Sequence, residues 1–177
     1  MDEAKFITLD NGLTILIYTD RSKSTNHMEL FTFYGGNYSS YIDYNGKKRN
    51  IKEGSAHLLE HYVCENTVSG DLLDNLRKYN VLSCNAGTSA FNTSYFFNTV
   101  CNFYECLDTF LDGIYNVSFT NEKLNKTKYA VLNEIRDSQN NEGRRIADIR
   151  DRTLFSNCMD NLGSEDSINS MTVNDLK

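Results

Sequence analysis

Ser55-Ala56-His57-Leu58-Leu59-Glu60-His61-Tyr62 is the stretch whose reading decides this chain. Two histidines stand four residues apart, with a glutamate directly before the second. On a helix, residues i and i+4 lie one above the other on one face, and i+3 lies beside them. Ala56, Leu59 and Val63 recur at the same spacing, so the pattern predicts a helix. On it, His57 and His61 can offer imidazole nitrogens to one ion at the ~2.0–2.1 Å that zinc requires. Glu60, on the same face, is within reach of a water at that ion. The plain alternative is a surface helix that happens to carry two histidines and an acid. Against it, only three histidines occur in 177 residues and two of them fall here.

Working outward, the composition suits one ordinary folded domain of 177 residues, 40% hydrophobic, with 11 Tyr and 10 Phe and no Trp. A net charge of −6 argues against a nucleic-acid surface, and Lys47-Lys48-Arg49 reads as a solvated loop. Five cysteines (Cys64, Cys84, Cys101, Cys106, Cys158) form no C-x-x-C pair and read as free thiols in a reducing compartment. Met1 to Lys5 lacks an apolar signal region, and no apolar run is long enough for a bilayer span. The expectation is a cytoplasmic protein without membrane or nucleic-acid partners.

Upstream of the histidines, Phe6–Leu9 and Leu13–Tyr18 read as strands about an Asp10-Asn11-Gly12 turn, and Met28–Tyr34 as another strand. Residues 37–53 read as a polar connection with a turn at Asn45-Gly46. His27 reads as a surface residue at a strand start. Downstream, Asp71–Tyr79 is a short amphipathic helix, followed by strands at Val81–Thr88 and Thr93–Val100. Phe103–Asn116 is a helix with a buried face, and residues 121–150 form one long helix or two, broken near Gln139–Gly143, with Leu154-Phe155 closing it. Leu162–Asp166 reads as a turn, and Thr172–Lys177 as an N-capped helix start. Tyr95, Phe96 and Phe97 read as sheet core.

Two histidines do not complete a zinc site; a third protein ligand is needed, with the fourth position left open. The candidate is Glu134, in Tyr129-Ala130-Val131-Leu132-Asn133-Glu134, 73 positions after His61. Alone it is an ordinary helix acid, and only its pairing with the histidines lifts it. His57-Leu58-Leu59-Glu60-His61 is the inverted form of the zincin helix. With Leu9-Asp10-Asn11-Gly12-Leu13-Thr14, Asn85-Ala86-Gly87-Thr88, Tyr95-Phe96-Phe97, Val131-Leu132-Asn133-Glu134 and Leu162-Gly163, followed by Thr172-x-x-Asp175-Leu176, it makes an ordered series. The series resembles the pitrilysin/insulinase family of inverted HxxEH zinc metallopeptidases, which includes mitochondrial processing peptidase, and in particular its N-terminal metal-binding domain.

The resemblance implies an α+β fold, a mixed and largely antiparallel sheet with helices packed mainly on one face. It implies one zinc ion held by His57, His61 and Glu134, with Glu60 as catalytic base. Asn85 and Ala86 would lie on an edge strand on which a peptide substrate is laid by β-addition; a plain strand and turn role competes for the Asn85 side chain. The implied function is a zinc metalloendopeptidase domain acting on peptides or small unfolded proteins, with a second homologous half or partner subunit. Residues 1–177 read as a single domain, expected to be truncated before its closing helix and strand. A non-catalytic partner subunit that keeps the fold for assembly or peptide binding is the rival; such subunits lose ligands, and all three candidates stand here. Two departures stand out. Thr127 occupies the position, seven before Glu134, where many members carry a second glutamate. The segment between Phe155 and Leu162 is short and lacks the family's His-Pro-Leu-Gly-like stretch.

Overall fold

A computed structural model describes residues 3–43, 45–154 and 160–177. The expectations that involve Phe155 and Cys158 therefore lie outside the described residues, as does most of the segment between Phe155 and Leu162.

Strands β1 (Glu3–Thr8) and β2 (Thr14–Thr19) form an antiparallel hairpin about the Asp10-Asn11-Gly12 turn. Gly12 takes φ 88°, a left-handed conformation that glycine adopts at no steric cost. Strand β3 (Asn26–Thr32) starts the three-stranded sheet. The polar connection that follows contains a hairpin the residue pattern did not predict, β4 (Ser40–Ile42) against β5 (Lys48–Asn50). Its three-residue strands are mostly exposed and show no apolar alternation, so only the turn between them was legible. Helix α1 (Ser55–Glu65) carries the histidines, and α2 (Leu72–Arg77) follows it.

Strands β6 (Ser83–Thr88) and β7 (Thr93–Thr99) complete the sheet in the order β3-β7-β6. Every described ladder is antiparallel. Helices α3 (Phe103–Tyr115), α4 (Asn121–Gln139) and α5 (Glu142–Leu154) come next, the last two separated at the expected break. The stretch read as a turn at Leu162–Asp166 leads directly into α6 (Glu165–Ser170), capped by Ser164, which accepts from the Ser167 N–H. Helix α7 (Val173–Leu176) begins at Thr172 in a capping box with Asp175, as its sequence suggests. The α+β class is as expected. No described helix is long and apolar enough to cross a membrane, and Cys64, Cys84, Cys101 and Cys106 are free thiols.

Helix α1 lies between two apolar clusters. On one side Leu58 and Tyr62 pack with Leu124, Val131 and Ile135 of α4, and with Leu162, Ile168, Met171 and Leu176. On the other, Val63 and Cys64 pack with Leu72 and Leu76 of α2, Cys106 and Phe110 of α3, and Tyr95 and Phe97 of β7. Leu59 touches both clusters. Strand alternation puts Tyr95 and Phe97 on the helix-covered face of β7. Phe96 falls on the opposite face, half-buried beside the His27 ring at 6.0 Å, which corrects its reading as core. The physical reason is the two-residue period of a strand, which cannot bury three consecutive aromatics on one face.

The start and flank of α1 are pinned. Gly54, its N-cap residue, has φ 80°, and a Cβ there would sit 2.5 Å from the Leu162 carbonyl oxygen. Tyr62 is fully buried, stacks on Phe119 at 5.0 Å, and its hydroxyl accepts from the Thr120 N–H (2.9 Å) while donating to the Ser118 carbonyl (3.0 Å). Thr120 is the N-cap of α4, its side chain accepting from the Lys123 N–H. One tyrosine on the histidine helix therefore fixes where the helix bearing Glu134 begins.

Candidate metal centre

With successive helical residues about 100° apart, His57 and His61 form a narrow stripe on α1. Glu60 flanks that stripe by about 60° on one side, and Glu65 by about 40° on the other. The Glu60 flank faces β6 and the Glu65 flank faces α4. On α4, Leu124, Thr127, Val131 and Ile135 are buried against α1, and Glu134 emerges beside Ile135 at the edge of that contact.

The structure brings the three predicted ligands together. The ligand atoms of His57, His61 and Glu134 all lie within 4.8 Å of one another, the one such grouping among the described residues. His57 Nε2 is 3.5 Å and His61 Nε2 3.4 Å from Glu134 Oε2. A charge-assisted hydrogen bond would close to about 2.7–2.9 Å. Two donors each about 2.0–2.1 Å from a tetrahedral ion stand about 3.3 Å apart. The spacing matches donors around a shared ion better than a closed ion pair, and two imidazoles with a carboxylate are a zinc donor set. The two rings stand nearly perpendicular at 79°, with centroids 4.7 Å apart, each presenting its Nε2 to the same carboxylate oxygen.

The electrostatics of the two histidines diverge. His57 is buried, and its Nδ1 has no hydrogen-bond partner among the described residues. Burial, with the neighbouring His61, pushes it down to about 4. His61 is pushed up to about 10, chiefly by Glu134 and then by Glu65. Glu134 is held below the usual carboxylate range by His61, against the opposing effect of its own burial. Arg144 at the start of α5 acts on both sides, disfavouring charge on His57 and favouring it on Glu134.

Glu60 is buried, and burial raises its carboxyl above the usual range. Its Oε2 accepts from the Thr88 hydroxyl at 2.9 Å, which opposes that rise. Thr88 lies at the end of β6, and residue patterning gave it no role of its own. Strand alternation sets Cys84, Ala86 and Thr88 on the face of β6 towards α1, and Ser83, Asn85 and Gly87 on the exposed face. Thus Ala86 lies on the site side, whereas the Asn85 side chain points away and only its backbone belongs to the sheet edge. Glu65 is a further acid that the residue pattern did not single out. Its Oε1 is 3.8 Å from His61 Nδ1, and its Oε2 accepts from the Thr127 hydroxyl at 2.8 Å. The signal for it was the i, i+4 spacing from His61.

Comparison with known proteins bears on the family and the fold. Residues 47–164 match the family model described as insulinase, peptidase family M16. A Bacillus subtilis protein named YmfH, described as an uncharacterized zinc protease, is 27% identical over 140 residues, covering 78% of this chain and 32% of its own length. Among solved structures, a chain from Alicyclobacillus acidocaldarius described as M16-like superposes with TM-score 0.85 at 22% identity, covering 99% of this chain and 41% of that one. A Pseudomonas fluorescens structure described as a peptidase M16 inactive domain gives TM-score 0.78 at 14% identity, covering 98% and 42%. At such identities the structural likeness speaks for the fold alone, and the chain spans about a third of the length of its curated relative. The matched model spans both the histidine helix and Glu134, and on that match the chain belongs to the insulinase family of peptidases, family M16.

Proposed function

We propose that this chain is the metal-carrying domain of a zinc metalloendopeptidase, with His57, His61 and Glu134 as the ligands of one zinc ion. The observation that carries the reading is the spacing of the two Nε2 atoms at 3.4–3.5 Å from one Glu134 oxygen, with Glu60 on the adjoining face. Zinc bound there supplies a Lewis acid for the scissile carbonyl and brings the pKa of a coordinated water towards about 7.

The chain's own residues do the rest. Glu60 accepts the proton of the attacking water and returns it to the leaving amine. Its burial, which raises the carboxyl, moves its basicity towards the working pH, while the Thr88 hydroxyl holds one of its oxygens. His57, held neutral by burial, is a ready ligand. The free edge of β6, at Asn85 and Ala86, offers backbone N–H and C=O groups on which an extended peptide can add as a strand. The substrates on this reading are peptides or small unfolded proteins. A second homologous half or partner subunit would close over them, since this chain covers 41% of the Alicyclobacillus chain that it matches along nearly its whole length.

A non-catalytic partner role is the second reading, favoured by the Pseudomonas structure of the same fold described as inactive. Glu60→Gln separates the two. In the protein purified with zinc and its partner half, that variant should keep its zinc and lose most hydrolysis of a fluorogenic peptide library, because an amide cannot take up the water's proton. Equal turnover before and after the substitution would remove Glu60 from the base role. Absence of turnover in the unsubstituted protein would favour the partner role.

A further inference from the structure

We propose that Glu65 is the positioning residue for His61, supplying from the metal helix the outer carboxylate that position 127 lacks. The proposal rests on the reading of His57, His61 and Glu134 as zinc ligands.

His61 presents its two nitrogens to two different acids, Nε2 to Glu134 at 3.4 Å and Nδ1 to Glu65 at 3.8 Å. With an ion on Nε2, the imidazole would keep its one proton on Nδ1, and Glu65 Oε1 stands 3.8 Å from that nitrogen, an ion-pair separation that has only to shorten to become a hydrogen bond. A carboxylate at that nitrogen fixes the tautomer and the ring orientation of a ligand histidine.

Glu65 is itself held from behind. Its Oε2 accepts from the hydroxyl of Thr127, a fully buried side chain on α4. That hydroxyl accepts in turn from Asn66 Nδ2 at 3.1 Å, and the same amide group donates to the Tyr62 carbonyl at 3.1 Å. One oxygen of Glu65 is anchored by this buried chain and the other faces the ring, so the carboxylate has a fixed aim rather than a solvated one.

The same geometry explains Thr127. A glutamate at that position would bring a second carboxylate against Glu65 in a closed space, where two like charges are costly. A threonine instead gives a donor that the existing acid needs. The site thus carries one outer acid on α1, and α4 contributes the hydroxyl that orients it.

The test is zinc affinity, measured by competition with a chromogenic chelator on metal-free protein whose thermal melting is recorded alongside. Glu65→Gln keeps the shape and removes the charge, and should weaken zinc binding about 10- to 100-fold. Thr127→Val keeps the carboxylate but frees its aim, and should weaken binding by a smaller factor. Glu105→Gln, an equal charge change on the exposed face of α3, should stay within about twofold of the unsubstituted protein. In the zinc-loaded protein, histidine nitrogen spectra should show a His61 Nδ1 proton protected from exchange, with the protection lost in Glu65→Gln. Glu65→Gln binding zinc within twofold of the unsubstituted protein would overturn the proposal. If Glu65→Gln does not fold, unchanged affinity in Thr127→Val would overturn it equally. Failure of the underlying ligand reading looks different, since then the unsubstituted protein and His61→Ala would bind zinc alike.

Discussion

The opposite displacement of the two histidines makes zinc binding depend on pH in a way that an ordinary histidine pair does not. The perturbation is pH alone, between about 5 and 8. Zinc takes only neutral imidazole, so each protonated ligand must lose its proton on binding. His57, pushed down to about 4 by burial, is already neutral across this range. Glu134, held low by His61, is already ionised. His61, pushed up to about 10 by Glu134 and Glu65, is protonated throughout. One proton is therefore displaced per ion, and affinity should rise about tenfold from pH 5 to 6 and about a further hundredfold from 6 to 8. Two unperturbed histidines with pKa about 6.5 would instead give about a 60-fold rise from pH 5 to 6, about 16-fold from 6 to 8, and a plateau above. Ionisation of a coordinated water near pH 7 only steepens the upper limb. The assay is zinc affinity by chelator competition at each pH, with proton release read from calorimetry in two buffers of different ionisation enthalpy. A two-proton slope below pH 6, or a plateau above 7.5, would refute the assignment of opposite shifts to His57 and His61.

The remaining predictions concern the groups that hold the site in place. Tyr62→Phe removes the acceptor of the Thr120 N–H and the donor to the Ser118 carbonyl, and should cost about 1–3 kcal/mol in denaturant unfolding with an unchanged m-value. A loss below about 0.3 kcal/mol would mean that α4 does not depend on this anchor. Thr88→Val removes a donor to the ionised Glu60 carboxylate, so the Glu60 pKa should rise. The acid limb of the pH–activity profile should then move upward by about 0.5–1 unit. A downward shift would contradict the sign.

The histidine helix was legible because chemistry and periodicity coincide there. His57, Glu60 and His61 carry the donor types, while Leu58, Leu59, Tyr62 and Val63 supply apolar residues for both neighbouring clusters. Glu134 could be located only by adding the family resemblance to the pattern, since nothing local marks one acid on a charged helix. Thr88 and Glu65 escaped notice for a different reason. The Thr88–Glu60 and Thr127–Glu65 contacts join elements distant in sequence, pairings that no local spacing encodes. The i, i+4 step from His61 to Glu65 was visible but does not by itself mark more than an ordinary helix pair. The β4–β5 hairpin and α6 were missed because they are short. Three-residue exposed strands and a six-residue helix with the single buried residue Ile168 give periodicity too little length to register. Phe96 shows the converse, where aromatic content suggested core and the strand's alternation placed the side chain on the other face.

The measurement closest to the central claim is zinc content per chain, taken by elemental analysis after loading at pH 7.5 and gel filtration. It should be made on the unsubstituted protein and on His57→Ala, His61→Ala and Glu134→Ala, each with melting recorded to show that it is folded. If the two Nε2 atoms and the Glu134 oxygen surround one ion, the unsubstituted protein carries about one equivalent. Each of the three substitutions should then lower that content sharply. One equivalent retained in all three folded variants would show that the ion binds elsewhere and that this cluster is an ordinary histidine–carboxylate contact.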